Sequence, residues 1–385
     1  MFWWFYPTTA AAGASKPLLL WLDGVTGIPP SLLANFGMIG PYDFNLNARE
    51  DSWINDFNLL FVDAPLGTGF SIPENETLIP QNLDDHADHL LHTLNSFYRS
   101  HAEYVNAPLY IVGQGSGAQI ALQLAIRLQN IDFSHNLRGV VLANGIVSPA
   151  LALTKLGFYL EEMGYIDYVG RGAIETYSAD ITSLVNQQRY PEAFDQFLFL
   201  GEYVNTVGET VAVNLGHIVE KLTRTTNARG SRVPDYFGQK EYLRSLTHQE
   251  SKEELFSFMD ETVAHALGIR HDTEYDDGRL GAVLASRELF MEPTVDKVEY
   301  ILQNTDITIS IYNGNLDAVS NTPGQLEWVD NLQWSGQEEF KSAPRQTLVV
   351  NRLVEGYFRV TNRLRFYWMN AAGQWVPSDS PAASR

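Results

Sequence analysis

The chain has 385 residues, 45% hydrophobic and 12% aromatic, and 46 acidic against 26 basic side chains give it a formal net charge of −20. This composition buries a sizeable core and excludes a disordered chain, while a field of that sign makes phosphate backbones and anionic lipid heads poor partners, so neither nucleic acid nor a membrane surface is expected. There is no cysteine, which excludes disulfides, thiolate catalysis and cysteine-based metal sites.

The length suits one large domain or a domain with a big insertion. No apolar run reaches the roughly 18 residues that cross a bilayer, so no membrane insertion is expected. The start, MFWWFY, lacks a basic leader region, and its aromatic residues suit a strand. The chain is therefore expected to begin inside a fold. Residues 1–6 and 16–23 read as two strands around a small-residue turn. The second is apolar throughout and runs into a Gly/Pro-rich loop at 24–30. Residues 58–63, NLLFVD, form another buried strand. Asn75-Glu76-Thr77 is a glycosylation sequon, which predicts glycosylation at Asn75 and favours the secretory pathway. Helical periodicity follows over 82–99, through Leu83, Ala87, Leu90, Leu91, Leu94 and Phe97.

His86, His89 and His92 repeat every three residues beside Asp85 and Asp88. Such a face could hold a metal. It lies off the apolar stripe, so a solvated helix face is expected and no metal or cofactor is assigned.

Leu109–Ile120, LYIVGQGSGAQI, reads as a buried strand, a Gly-rich turn and a helix starting near Gln119. That is the layout of a nucleophile elbow, with the pattern small–x–nucleophile–x–small. Gly113 and Gly117 fill the small positions, which puts Gly115 at the apex. Either Ser116 is the nucleophile, or the scaffold lacks its reactive group. Residues 137–143 form the next strand. Strands alternating with helices predict a mainly parallel sheet covered on both faces.

From 151 to 295 helical periods dominate, near 151–163, 174–187, 191–199 and 211–222. This segment is expected to be a helical cap inserted between core parts 1–150 and 296–385. Within it, 223–234 is polar and reads as an exposed loop open to proteolysis. Strands return at 307–312, 346–350 and 364–368. There is no internal repeat and no low-complexity tract.

A hydrolase of this layout presents its nucleophile, acid and histidine in that order along the chain. Asp317 follows the strand 307–312 and fits the acid. The nine histidines stand at 86, 89, 92, 101, 135, 217, 248, 265 and 271, none of them after Asp317. The place for a general base is empty. Without imidazole a serine hydroxyl stays protonated, which argues against Ser116 as well.

The ordered motifs PLLLWLDG, NFGMIGPYD, NLLFVDAPLGTGFS, LYIVGQGSGAQ, ANGIVSP, IYNGNLDAVSNTPGQLEWVDNLQW and FYWMNAAGQWVPSDSP resemble the serine carboxypeptidase family along nearly the whole chain, most of all its retinoid-inducible and insect branch. The resemblance implies an α/β-hydrolase fold with a helical cap. It also implies a secreted or lysosomal location, C-terminal exopeptidase ancestry and a homodimer, with further protein partners unknown. Carried over, the family's elbow serine falls on Gly115 and its carboxylate-holding elbow glutamate on Gln114. The oxyanion loop falls on Gly24-Val25-Thr26-Gly27. Val25 stands for a glycine there, and Ser116 is the second oxyanion position. Met38 stands in the region of a second carboxylate-holding glutamate, and the closing histidine is Gln374. Only Asp317 survives. An amide hydrogen-bonds but is no base near neutral pH.

The reading is therefore a catalytically inactive carboxypeptidase-like protein with a binding or structural role in a secreted or extracellular assembly. Asp317 is expected to be a relic that hydrogen-bonds its own turn. A hydrolase using Ser116 is the alternative, and peptide or C-terminus binding without cleavage is a third. An apolar cleft near Trp21, Trp375 and Gly115 is a candidate ligand site.

Overall fold

The computed structural model describes residues 1–24, 28–207, 213–220, 252–270, 272–276 and 280–385. Val25 and the proposed loop 223–234 lie outside the described residues.

Nine strands form one sheet: β1 (Trp3–Tyr6), β2 (Leu18–Leu22), β3 (Asn58–Val62), β4 (Leu109–Gln114), β5 (Leu137–Ala143), β6 (Thr308–Gly314), β7 (Gln346–Val350), β8 (Leu353–Val360) and β9 (Leu364–Met369). Their spatial order is β1-β3-β2-β4-β5-β6-β9-β8-β7. The six strands from β3 to β9 in that order run parallel, and β1, β8 and β7 add antiparallel edges. Parallel strands covered on both faces should read as unbroken apolar runs. β2 (LLLWL) and β3 (NLLFV) are buried at every position.

The two faces carry separate cores. On one, helices α1 (Leu83–Ser100) and α2 (Gly117–Leu128) pack Leu90, Leu94, Phe97, Leu124 and Leu128 against Leu20, Leu22 and Ile111. On the other, Trp21, Phe61, Val112, Ala143 and Trp375 meet residues 32–39 and 255–264. Between β5 and β6 the described helices include α3 (Pro149–Glu162), α4 (Tyr168–Asn186), α5 (Tyr190–Val207) and α6 (Leu280–Leu289). The first three, with residues 213–218 and Phe290, build a third hydrophobic cluster. Asp167 starts α4 by accepting from the Val169 and Gly170 amides at 3.0 and 2.9 Å.

Three expectations need correction. Residues 213–220 are turns, not helix. Their carbonyls serve other segments: Leu215 accepts from Ala318 and Gly216 from Gln374. The 82–99 helix does not present three solvated histidines. His86 is buried and only His92 is exposed, because Leu83, His86, Leu90 and Phe97 share the face that enters the core. Burial pushes the His86 imidazole down to about 3, so it is neutral. Finally, β8 was not expected. Glu355, Gly356 and Arg359 break its apolar alternation, and its pairing with β7 and β9 supplies the order that local sequence does not. No cluster of three or more potential metal ligands occurs among the described residues. Nor does any described helix have the length and apolarity to cross a membrane.

Helix α2 starts almost in contact with β2. A Cβ on Gly117 would lie 2.3 Å from the Leu22 carbonyl oxygen, and one on Gly113 would lie 2.5 Å from Ala118 Cα. Gly117→Ala should therefore destabilise the protein by about 1–3 kcal/mol. Gly172→Ala, inside α4 with nothing near its would-be Cβ, should stabilise it by roughly 0.5–1 kcal/mol. Urea unfolding of both variants checks the pair, and equal shifts would contradict the packing argument.

Candidate functional site

β4 delivers Gln114 to the C-terminal edge of the sheet, and α2 begins at Gly117. Only Gly115 and Ser116 make the turn. Gly115 has φ +54°, a conformation in which side chains are strained. Its amide donates to the Ala143 carbonyl at 3.0 Å, and its own carbonyl accepts from Ile146 at 2.9 Å. These bonds hold the apex rigid. A Cβ built on Gly115 meets one heavy atom within 4 Å among the described residues, Gln374 Nε2 at 3.7 Å. Positions 115 and 374, distant in sequence, thus face each other.

Gln374 is held on both sides. Its amide donates to Gly216 at 2.7 Å, and its carbonyl accepts from Gln114 Nε2 at 2.8 Å. The residue before it, Gly373, accepts from Asn144 Nδ2 at 3.3 Å and donates to Asp379 Oδ2 at 2.8 Å. Asn144 Nδ2 also donates to Asp317 Oδ2 at 2.8 Å, so it bridges the acid to the 373–374 loop.

Asp317 is completely buried and its oxygens are saturated. Oδ1 accepts from the Val319 amide at 2.8 Å and the Ser320 amide at 3.2 Å. Oδ2 accepts from Asn144 and from Ser320 Oγ at 2.5 Å. The turn bonds expected of Asp317 are present. Burial pushes its carboxyl up to about 6 against the pull of these donors. Asp63 is also pushed up to about 6 by burial, opposed by bonds from Phe70 and Ser31.

The remaining predicted positions diverge. Ser116 Oγ approaches the Asp23 carbonyl at 3.4 Å and lines a small cavity with Leu83, His86, Gln119 and Ser286, on the α1–α2 side of the sheet. Met38 is buried in the aromatic core of the other face. Asn75 is exposed and caps the turn Glu76–Leu78 by accepting from the Thr77 amide at 3.0 Å.

Several residues at this corner escaped the sequence reading. Asn144 and Ser320 hold the acid. The only available signal was their position just beyond β5 and just beyond Asp317. Asp23 is fully buried beside Trp21, whose Nε1 donates to Asp23 Oδ2 at 2.9 Å. His217 arrives from the 213–220 turns, packs on Gly373 and lies 3.8 Å from Asp379 Oδ2. Chain order therefore does not exhaust the histidines near the loop, although the side chain facing Gly115 is Gln374.

A family model for serine carboxypeptidases matches residues 1–385. The chain belongs to the serine carboxypeptidase family. It is 30% identical to the retinoid-inducible serine carboxypeptidase of Rattus norvegicus, with 98% of this chain and 85% of the relative covered. It is 28% identical to the venom serine carboxypeptidase of Apis mellifera, covering 99% and 78%. Among solved structures, KEX1(DELTA)P, a prohormone-processing carboxypeptidase from Saccharomyces cerevisiae, superposes with a TM-score of 0.80 at 21% identity, covering 99% of this chain and 84% of that one. The expected α/β-hydrolase fold is therefore present.

The buried carboxyls set a pH dependence. For Asp317, with a folded value near 6 and an ordinary value of 3.8, the stability contribution is complete below about pH 4 and is lost as pH rises through 6. His86 acts oppositely: with a folded value of about 3, it destabilises as pH falls below 6.5. Replacing one group isolates its share. The cost of Asp317→Asn should be larger at pH 4 than at pH 7, by about 2 kcal/mol. Urea midpoints at both pH values measure this, and an equal cost would contradict it.

Proposed function

We propose that this chain is a catalytically inactive serine carboxypeptidase-like protein, kept for a binding or structural role in a secreted, extracellular or lysosomal assembly. The observation that carries this reading is the facing pair Gly115 and Gln374. Acyl transfer in a triad needs a nucleophilic atom at the elbow apex and a base within hydrogen-bond reach of it. Glycine supplies no atom, and the carboxamide of Gln374 takes up no proton near neutral pH. Asp317, whose catalytic task would be to orient an imidazole, has both oxygens engaged by Val319, Ser320 and Asn144. The exposed sequon at Asn75 and the venom source of one relative support a secretory location. No cofactor is assigned.

The alternative, hydrolysis through Ser116, fits less well. Its hydroxyl lies with His86 on the α1–α2 side, while Gln374 faces the apex. Burial pushes His86 down to about 3, which makes it a poor base for that hydroxyl, and labelling separates the two readings. A fluorophosphonate probe should leave the folded protein unlabelled. Covalent labelling of any serine, located by mass spectrometry, would overturn the inactive reading.

Gly115→Ser alone should yield no peptidase activity on blocked dipeptides at acid or neutral pH, because Gln374 remains. Measurable turnover by that single variant would show the base is supplied elsewhere. Met38, buried among apolar side chains, and Gln114, tied to Gln374, leave little to hold a peptide C-terminus. Calorimetry with short N-acetylated, lysine-free peptides that keep a free carboxylate should show no heat of binding.

A further inference from the structure

The corner beside Gly115 holds an unusual set of side chains. The register places Gln114 opposite Ala143 and Ala143 opposite Tyr312, at the C-terminal ends of β4, β5 and β6. Leu22 pairs with Gly113, so Asp23 extends the same row on the β2 side. Alternation puts these residues on one face, the face of Trp21, Val112 and Trp375. Gln374 joins them through its bond from Gln114. Ala143, in the middle, contributes only a methyl group.

Four buried atoms of this row have no hydrogen-bond partner among the described residues: Asp23 Oδ1, Gln114 Oε1, Gln374 Oε1 and the Tyr312 hydroxyl. Asp23, Gln114 and Gln374 are each more than nine-tenths buried. Three of the four atoms are acceptors. The assignment at Gln114 follows from chemistry, because its other terminal atom donates to a carbonyl. A buried orphan acceptor costs about 1–3 kcal/mol, so such atoms are paired in a working protein. Among the described residues, the side-chain bonds of this row come from Trp21 to Asp23 and from Gln114 to the Gln374 carbonyl. A Cβ built on Gly115 meets only Gln374 Nε2 within 4 Å among the described residues.

We infer that the degenerate elbow corner is a recognition site for a primary ammonium group, held by Asp23, Gln114 and Gln374. An ammonium brings three N–H donors and one positive charge to two amide oxygens and one carboxyl group. Burial, with Asp63 adding to it, raises the Asp23 carboxyl well above the usual carboxylate range, and an ammonium beside it favours the ionised form. The net charge of −20 draws cations toward the protein. The polarity is opposite to that of a site that holds a peptide carboxylate. The inference deepens the proposed binding role and rests on that reading, since a reacting acyl group would need the same space.

The test uses the whole chain at physiological salt, with n-butylammonium, n-butyrate and n-butanol as probes of equal length and different charge. Calorimetry should give one-to-one binding of n-butylammonium and no heat with the other two. Asp23→Asn keeps an acceptor for Trp21 Nε1 and should weaken the binding about tenfold or more. Ala143→Val narrows the row from another strand and should do the same. Near-UV circular dichroism reports whether either variant still folds natively. Butyrate binding as well as the ammonium would overturn the inference. So would the absence of ammonium binding to the unmutated chain, or ammonium binding indifferent to both natively folded variants. Fluorophosphonate labelling remains a separate readout. A labelled serine with ammonium binding intact defeats only the inactive reading, whereas an unlabelled chain that ignores the ammonium defeats only this one.

Discussion

The contact between the start of α2 and the end of β2 governs the geometry of the whole corner. Gly117 meets the Leu22 carbonyl, Gly113 meets Ala118, and Gly24 meets Ser116, all at distances where a side chain would clash. This approach forces the chain to reverse within two residues, so the apex takes a positive φ at Gly115. The Gly117 amide then donates to the Asp23 carbonyl at 3.1 Å, which ties the loop after β2 to the helix. An elbow built this way is a packing solution first. It keeps its shape whatever side chain, or none, stands at the apex.

A second layer of order comes from loops that meet only in three dimensions. Asn144, just beyond β5, reaches both Asp317 and Gly373. The 213–220 turns lend carbonyls to Ala318 and Gln374, and Gln114 grips the Gln374 carbonyl. Three ends of the parallel sheet and the 213–220 turns are thereby locked around a single point. Parallel sheets place their strand ends together, and the side chains that crowd there are polar although the strands beneath are apolar.

The strands of this fold were legible in the sequence where burial is two-sided. LLLWL and NLLFV have no other reading, because polar atoms on either face would lie in a core. β8 was not legible, since a half-exposed antiparallel edge tolerates Glu355 and Arg359. The turns at 213–220 looked helical because the buried Leu215 and Ile218 stand three residues apart, as on one helix face. The apex glycine, the acid and the glutamine could be placed from motif order. Their mutual distances could not, nor could the orphan acceptors of Asp23 and Gln114, which depend on strand register. His86 misled for a related reason: a polar residue type was assigned to a polar face, but the pitch of α1 turns it inward.

The saturated shell of Asp317 makes the three positions of the corner unequal under mutation. Removing the carboxylate would strand the Val319 and Ser320 amides, the Asn144 side chain and the Ser320 hydroxyl at once, deep in the protein. Among the described residues, no comparable set of bonds depends on a side chain at 115, where a glycine relieves strain, or on an imidazole at 374, where the backbone makes the bonds to Gly216 and Gln114. A lineage drifting through sequence space could therefore change the apex and the facing residue with little penalty to folding, while the acid stays pinned by its neighbours. A lone surviving acid in such a scaffold is a mark of structural debt to the fold, and its persistence carries no information about whether chemistry continues.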